Sequence, residues 1–158
     1  MDDTGIRVEA EPTGLCIFVS QYRHALDPKK RFTIPSQWRS AAGTNLLYIL
    51  PDISMKFLCA FPSTEIRHRL QKLRQHPMAD SRAREFARVI GSRSDLVAWD
   101  PHGRIRIKDE LLDLAGIREE VWLVGALDRF EIWSVERYKQ AQASDQASFE
   151  EAARYVGF

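Results

Sequence analysis

Apolar and polar residues alternate in short runs along most of the chain, and turn-forming residues close each run. Tyr22–Leu26, Leu46–Leu50, Phe57–Phe61, Leu96–Trp99, Val121–Gly125 and Phe130–Trp133 read as strands. Two further strands follow Asp-Pro turns, one placing Phe32 and Ile34 on a single face, the other Ile105 and Ile107. Elsewhere the period lengthens to that of a helix. Ile66, Leu70 and Leu73 form one apolar stripe, with Ser63 or Thr64 as the expected N-cap and Pro77 as the stop. Asp80 is placed to cap a second helix, with Ala83, Phe86, Ala87 and Ile90 on one face and Gly91 after it. Short helices are expected to end at Gly43 and Gly116, where glycine suits a left-handed cap. Another helix opens at Ser134, and a last one at Ser148, where Ser-Phe-Glu-Glu spells a capping box.

The pattern occurs twice. DPKKRFTIPSQWRSAAG (Asp27–Gly43) and DPHGRIRIKDELLDLAG (Asp100–Gly116) align without a gap at a spacing of 73, sharing six of 17 positions. FLCAFPSTEI (Phe57–Ile66) then matches RFEIWSVERY (Arg129–Tyr138) in pattern. Self-similarity on this scale means one supersecondary unit used twice. Two copies are too few for a solenoid, so they are expected to complete one core about a pseudo-twofold axis. The expected divisions are a flexible extension over 1–16, a first unit over 17–76, a linking helix over 77–92, a second unit over 93–144 and a C-terminal helix over 145–158. In each unit a strand, an Asp-Pro turn and a return strand read as a hairpin. Asp then Pro suits a type I turn, which Gly103 ends as a left-handed residue. Lys30 stands at the equivalent place, where a positive φ would cost about 1 kcal/mol.

Composition sets the class. The chain has 158 residues, 44% apolar and 28% charged, which is globular rather than disordered. No long apolar window spans a membrane, and the acidic start lacks the apolar core of a secretory signal. Cys16 and Cys59 lie far apart, and the four histidines lack ligand spacing, so neither a disulfide framework nor a metal site is expected. The expectation is a soluble, cytoplasmic protein without a cofactor. Its net charge of +1 hides a segregation: −3 over residues 1–12, +10 over 13–108 and −6 over 109–158. A basic middle between acidic ends points to an anionic partner for part of the surface, or to pairing between the halves.

FVSQYRHALDPKKRFTIPSQWR (Phe18–Arg39) resembles the opening of the MraZ family, and WDPHGRIRIKDELLDLAGIREEVWLVGALDRFEIWSVERY (Trp99–Tyr138) resembles that family's second unit. The resemblance implies a mainly β fold with helices: a tandem, pseudo-twofold, AbrB/MazE/MraZ-like swapped-hairpin β-barrel with peripheral helices. It also implies a homo-oligomeric ring, association with the nucleoid, and regulation of transcription through direct repeats upstream of the division and cell-wall gene cluster. Lys30 departs from the family's turn glycine and Lys108 from its proline, and the N-terminal extension is unusual.

The turns offer the matching chemistry. Arg31 and Arg104 begin return strands, with Lys29, Lys30, His102 and Arg106 close by and Arg23 on the outgoing strand. A two-stranded ribbon fits a major groove, where arginine can bond guanine bidentately. Arg31 and Arg104 are therefore the candidate base readers, and Lys29, Lys30, Arg23 and Arg106 the candidate phosphate contacts, with His102 beside them. Asp27 and Asp100, together with Gly103, are expected to order the turns through backbone N–H groups. For each arginine the plainer alternative is an ion pair to the aspartate four residues earlier. The arginine-rich helices read as solvated faces first and subunit contacts second. No nucleophile elbow, P-loop, glycine-rich fingerprint or H-E-x-x-H is present, so an enzyme is not expected. The remaining alternative is an AbrB-fold interaction module without DNA binding.

Overall fold

The computed structural model describes residues 16–158. The extension predicted over residues 1–16 therefore lies, apart from Cys16, outside the described residues. The first unit comprises β1 (Gln21–Ala25), β2 (Arg31–Thr33), α1 (Ser36–Ala42), β3 (Leu46–Pro51), β4 (Leu58–Phe61) and α2 (Ser63–Arg74). After α3 (Ser81–Arg93), the second unit repeats the order as β5 (Asp95–Ala98), β6 (Arg104–Arg106), α4 (Asp109–Ala115), β7 (Glu120–Gly125), β8 (Phe130–Trp133) and α5 (Val135–Val156).

The two units interleave. Six strands form one antiparallel sheet in the order β1-β7-β8-β4-β3-β5, and β2 pairs with β6 in a separate two-stranded ribbon. Exchanging every strand for its repeat partner reads the sheet order backwards and leaves it unchanged, which is the signature of a pseudo-twofold axis. The axis meets the ribbon where Phe32 faces Ile105, equivalent positions of the repeat, and crosses the sheet where Cys59 faces Glu131. The expected hairpins are thus swapped. β1 and β2 flank one turn but do not form a ladder together; β1 pairs with β7 of the other unit and β2 with β6. Each turn is held by two backbone bonds, Asp27 N–H to Arg31 O (2.9 Å) with Lys30 N–H to Asp27 O (2.8 Å), and Asp100 N–H to Arg104 O (3.0 Å) with Gly103 N–H to Asp100 O (2.8 Å), after which the arms diverge.

Burial explains the divergence. Phe32, Ile34, Ile105 and Ile107 all enter a shared core with Leu47, Ile49, Leu58, Val121, Leu123 and Ile132. Phe18, Trp38 and Phe130 form its aromatic part, with Trp38 stacked on Phe130 at 4.7 Å between centroids and its indole N–H donating to Val19 O at 2.8 Å. A two-stranded hairpin alone buries too little to stand, and crossing to the other unit lets both ribbon strands cover one core. The barrel expected from the resemblance is not closed by backbone pairing. β1 and β5 are the ends of the sheet order, and the chain leaves each of them through an Asp-Pro turn into the ribbon.

The helices follow the predicted punctuation with three corrections. α1 and α4 end at left-handed Gly43 (φ 69°) and Gly116 (φ 70°). Asp80 caps α3 by accepting from the Arg82 and Ala83 N–H groups, and Ser134 caps α5 by accepting from Arg137 N–H. Neither Ser63 nor Thr64 caps α2: extended Pro62 precedes it and no side chain closes its first turn. Gly91 lies inside α3, which runs on to Arg93. No new helix starts at Ser148, because α5 is continuous from Val135 to Val156. The intervening QAQASDQA contains no glycine or proline to stop it, and the Ser148 hydroxyl donates back to Ser144 O instead of capping.

Candidate nucleic-acid interface

Alternation along the ribbon sets its exposed face. Phe32 and Ile105 point into the core, so their neighbours Arg31, Thr33, Arg104 and Arg106 project from the opposite side. Register then pairs Arg31 with Arg106 and Thr33 with Arg104. The swap thereby places Arg106, which the sequence associates with the second turn, beside the first. One end of the ribbon gathers Lys29, Lys30, Arg31 and Arg106; the other gathers His102, Gly103, Arg104 and Thr33.

Both turns share one hydrogen-bond design. Asp27 Oδ1 accepts from Lys29 N–H (2.9 Å) and Arg31 N–H (2.8 Å), while its Oδ2 accepts from Arg31 Nε (2.8 Å). Asp100 Oδ1 accepts from His102 N–H and Arg104 N–H, both at 2.9 Å, and its Oδ2 from Arg104 Nε at 2.8 Å. Donation from Arg31, first through its backbone and then through its guanidinium, with Lys29 N–H, holds the Asp27 carboxyl below its ordinary pKa. The same arrangement with Arg104 and His102 lowers Asp100 to about 2. The ion pair to the aspartate four residues earlier is therefore formed at both arginines. It engages only Nε. Among the described residues the Nη groups of Arg31 and Arg104 have no hydrogen-bond partner, so each aspartate aims a guanidinium whose outer edge stays available.

The turns differ at one position. Lys30 has φ 60° and Gly103 φ 80°. A Cβ on Gly103 would lie 2.5 Å from the Arg39 guanidinium carbon, whereas the Lys30 side chain is exposed and its Nζ reaches Asp109 Oδ1 at 3.2 Å. Asp109 also accepts from Arg106 Nη2 at 2.9 Å, and Arg106 Nη1 donates to Ile107 O. Sequence reasoning missed this carboxylate, which both cations hold below its ordinary pKa, Arg106 most strongly. The repeat carried the signal: the equivalent of Asp109 is uncharged Ser36.

Arg23 stands apart. It lies on β1 in the six-stranded sheet, bonds Glu120 bidentately with both distances 3.0 Å, and sits 5.8 Å from the Trp122 ring centre. The structure thus brings Lys29, Lys30, Arg31, His102, Arg104 and Arg106 onto the ribbon and its turns and leaves Arg23 outside them. Among the described residues there is no group of three His, Cys, Asp or Glu side chains able to hold a metal ion, and no helix long and apolar enough to cross a membrane.

A swapped pseudo-dimer in one chain, with a cationic ribbon across its axis, defines an AbrB-like protein. A family model described as "MraZ protein, putative antitoxin-like" matches residues 92–157. A "Transcriptional regulator MraZ" of Natranaerobius thermophilus is 31% identical over 140 residues, covering 89% of this chain and 96% of the relative. Proteins of the same description from Clostridium acetobutylicum (34%, 81% of this chain and 89% of the relative) and Symbiobacterium thermophilum (33%, 89% and 100%) are also similar. The chain belongs to the MraZ family.

Proposed function

We propose that this chain is a sequence-specific, DNA-binding regulator of transcription whose β2–β6 ribbon enters the major groove. One observation carries the reading: three arginines share the outward face of a two-stranded ribbon, with Lys29 and Lys30 at one end. A ribbon of this width is a major-groove shape, and arginine Nη groups are suited to guanine O6 and N7. Arg31 and Arg104 then read bases, Lys29, Lys30 and Arg106 meet phosphates, and Asp27, Asp100 and Gly103 hold the turns. Arg23, already bonded bidentately, contributes less. The relatives named as transcriptional regulators support the role.

The finer reading is a homo-oligomeric, ring-forming, cytoplasmic and nucleoid-associated protein that engages direct repeats upstream of the division and cell-wall genes. One ribbon makes a small footprint, and linking several raises avidity by roughly 10²–10⁴. Gel shifts against the protein's own upstream DNA test the reading. Affinity should fall with salt at a log–log slope of about −0.9 per neutralised phosphate. Salt-independent binding, or none to that DNA, would leave the AbrB-fold interaction module as the better description. Light scattering tests assembly: an 18.2 kDa species alone at micromolar concentration refutes the ring.

A further inference from the structure

Both α2 and α3 carry an apolar stripe of the kind that normally packs against a core, yet neither helix has a single buried residue. Leu70 is 46% exposed and Phe86 48%, although each lies within its helix's own stripe. Around these residues, STEIRHRLQKLR and SRAREFARVIGSR together hold eight Lys/Arg against two Glu. The result is a half-open apolar strip with a strongly basic border.

The far end of α5 has the opposite character. Beyond Gln142 the helix becomes largely exposed. Phe149, Ala152, Ala153 and Val156 recur at helical spacing along one side, and Phe149 is 73% exposed and Val156 70%. The charges of residues 145–158 are Asp145, Glu150 and Glu151 against Arg154 alone. At about 1.5 Å per residue these last 14 residues reach roughly 20 Å. Among the described residues 143–158 only Ala153 is half-buried, and the rest are exposed.

We propose that the C-terminal half of α5 docks on the α2–α3 face of a second copy of this chain. Complementary charge and two apolar strips, one half-open on α2–α3 and one exposed on α5 among the described residues, carry the assignment. The donor and acceptor surfaces differ, so the contact is head-to-tail, the type that closes into a ring when its rotation permits. The proposal rests on the oligomeric reading above and names its interface.

The test uses the full chain, with light scattering and circular dichroism on each variant. Phe149→Asp and, separately, Leu70→Asp should weaken assembly by about tenfold or more while helix content persists. Paired reversals should then restore it: Glu150→Lys with Glu151→Lys breaks assembly, and adding Arg84→Glu with Arg88→Glu regains it. Contact is read directly by mixing Ala152→Cys chains with Ala83→Cys chains, both also carrying Cys16→Ser, under bis-maleimide, with cross-linking expected only in the mixture. A monomeric wild type would refute the oligomeric reading and this interface with it. A wild-type oligomer that persists in both aspartate variants, cross-links that form within Ala152→Cys chains alone, or reversals that fail to rescue would overturn the interface only. Arm–arm pairing, or cover of α2–α3 by residues 1–15, would then be the replacement. Loss of DNA binding by Leu70→Asp with unchanged mass would make this face a nucleic-acid surface and overturn the proposal as well.

Discussion

Replacing Lys30 by glycine should make the protein more stable and a weaker DNA binder at once. Lys30 holds a left-handed backbone at φ 60°, where a non-glycine residue costs about 1–2 kcal/mol. Glycine removes that cost but adds about 0.4–1 kcal/mol of freedom to the unfolded chain. It also deletes the ion pair with Asp109, an exposed, solvent-screened contact that contributes little to stability. The net expectation is a gain of about 0.5 kcal/mol, or roughly 1–2 °C in Tm for a chain of this size. Binding moves the other way: removing one phosphate contact should flatten the salt slope by about 0.9. Lys30→Ala is the control, since it removes the same charge and keeps the strain. Differential scanning calorimetry beside salt-titrated gel shifts separates the terms. If Lys30→Gly and Lys30→Ala melt at the same temperature, the strain at φ 60° is no larger than the roughly 0.4–1 kcal/mol of unfolded-chain freedom that glycine adds, and a cost of about 1–2 kcal/mol is refuted. If either variant keeps the wild-type salt slope, Lys30 does not meet phosphate.

Arg31→Ala should reduce specific binding by about 1–3 kcal/mol per engaged ribbon, and Arg104→Ala by less, because its end of the ribbon carries fewer cations; gel shifts beside thermal melts decide whether the loss is in binding or in folding. Asp109→Asn frees both Lys30 and Arg106, so DNA affinity should rise several-fold at low salt and the advantage shrink as salt is added. The Asp100 carboxyl titrates at about 2 in the fold, below the ordinary unfolded value near 3.9. Its contribution is therefore fully present above pH 4 and lost between roughly pH 4 and 2, and Asp100→Asn should flatten that acid limb in pH-dependent melts. Gly103→Ala must shift the Arg39 guanidinium and strain a backbone at φ 80°, which should cost about 1–2 kcal/mol in urea unfolding.

Much of the fold could be read from local signals, because the protein repeats them. The Asp-Pro turns, the left-handed residue at Gly103 and Lys30, the Gly43 and Gly116 caps and the inward set Phe32, Ile34, Ile105 and Ile107 all follow from turn chemistry and period. The swap does not. Alternation reports which face of a strand is buried, not which strand lies beside it, and β1 is equally satisfied by β2 or β7. Only the relation between the two units decides between them, and the repeat implied that relation without giving its pairing. The same gap hid the site's composition. Arg106 joins Arg31 only across the ribbon, and Asp109 reaches Lys30 from a helix of the other unit. The α5 prediction failed for a different reason: Ser148 offered a valid cap, but the residues before it were good helix formers that left no end to cap.

Joining two units in one polypeptide frees the axis from strict symmetry. A dimer of identical chains would have to present the same groups at both ends of its ribbon, and such a reader is matched to a palindrome. Here one end presents Lys30, Arg31 and Arg106 beside Asp109, and the other presents Gly103, Arg104 and Thr33, with Ser36 at the repeat position equivalent to Asp109. The ribbon therefore has a polarity, and laying it on a duplex in reverse exchanges contacts that are chemically different. On the proposed DNA-binding reading, copies arrayed along DNA with the same end leading would all meet the groove in the same sense, a geometry that would suit sites written repeatedly in one orientation and penalise sites written as mirror images.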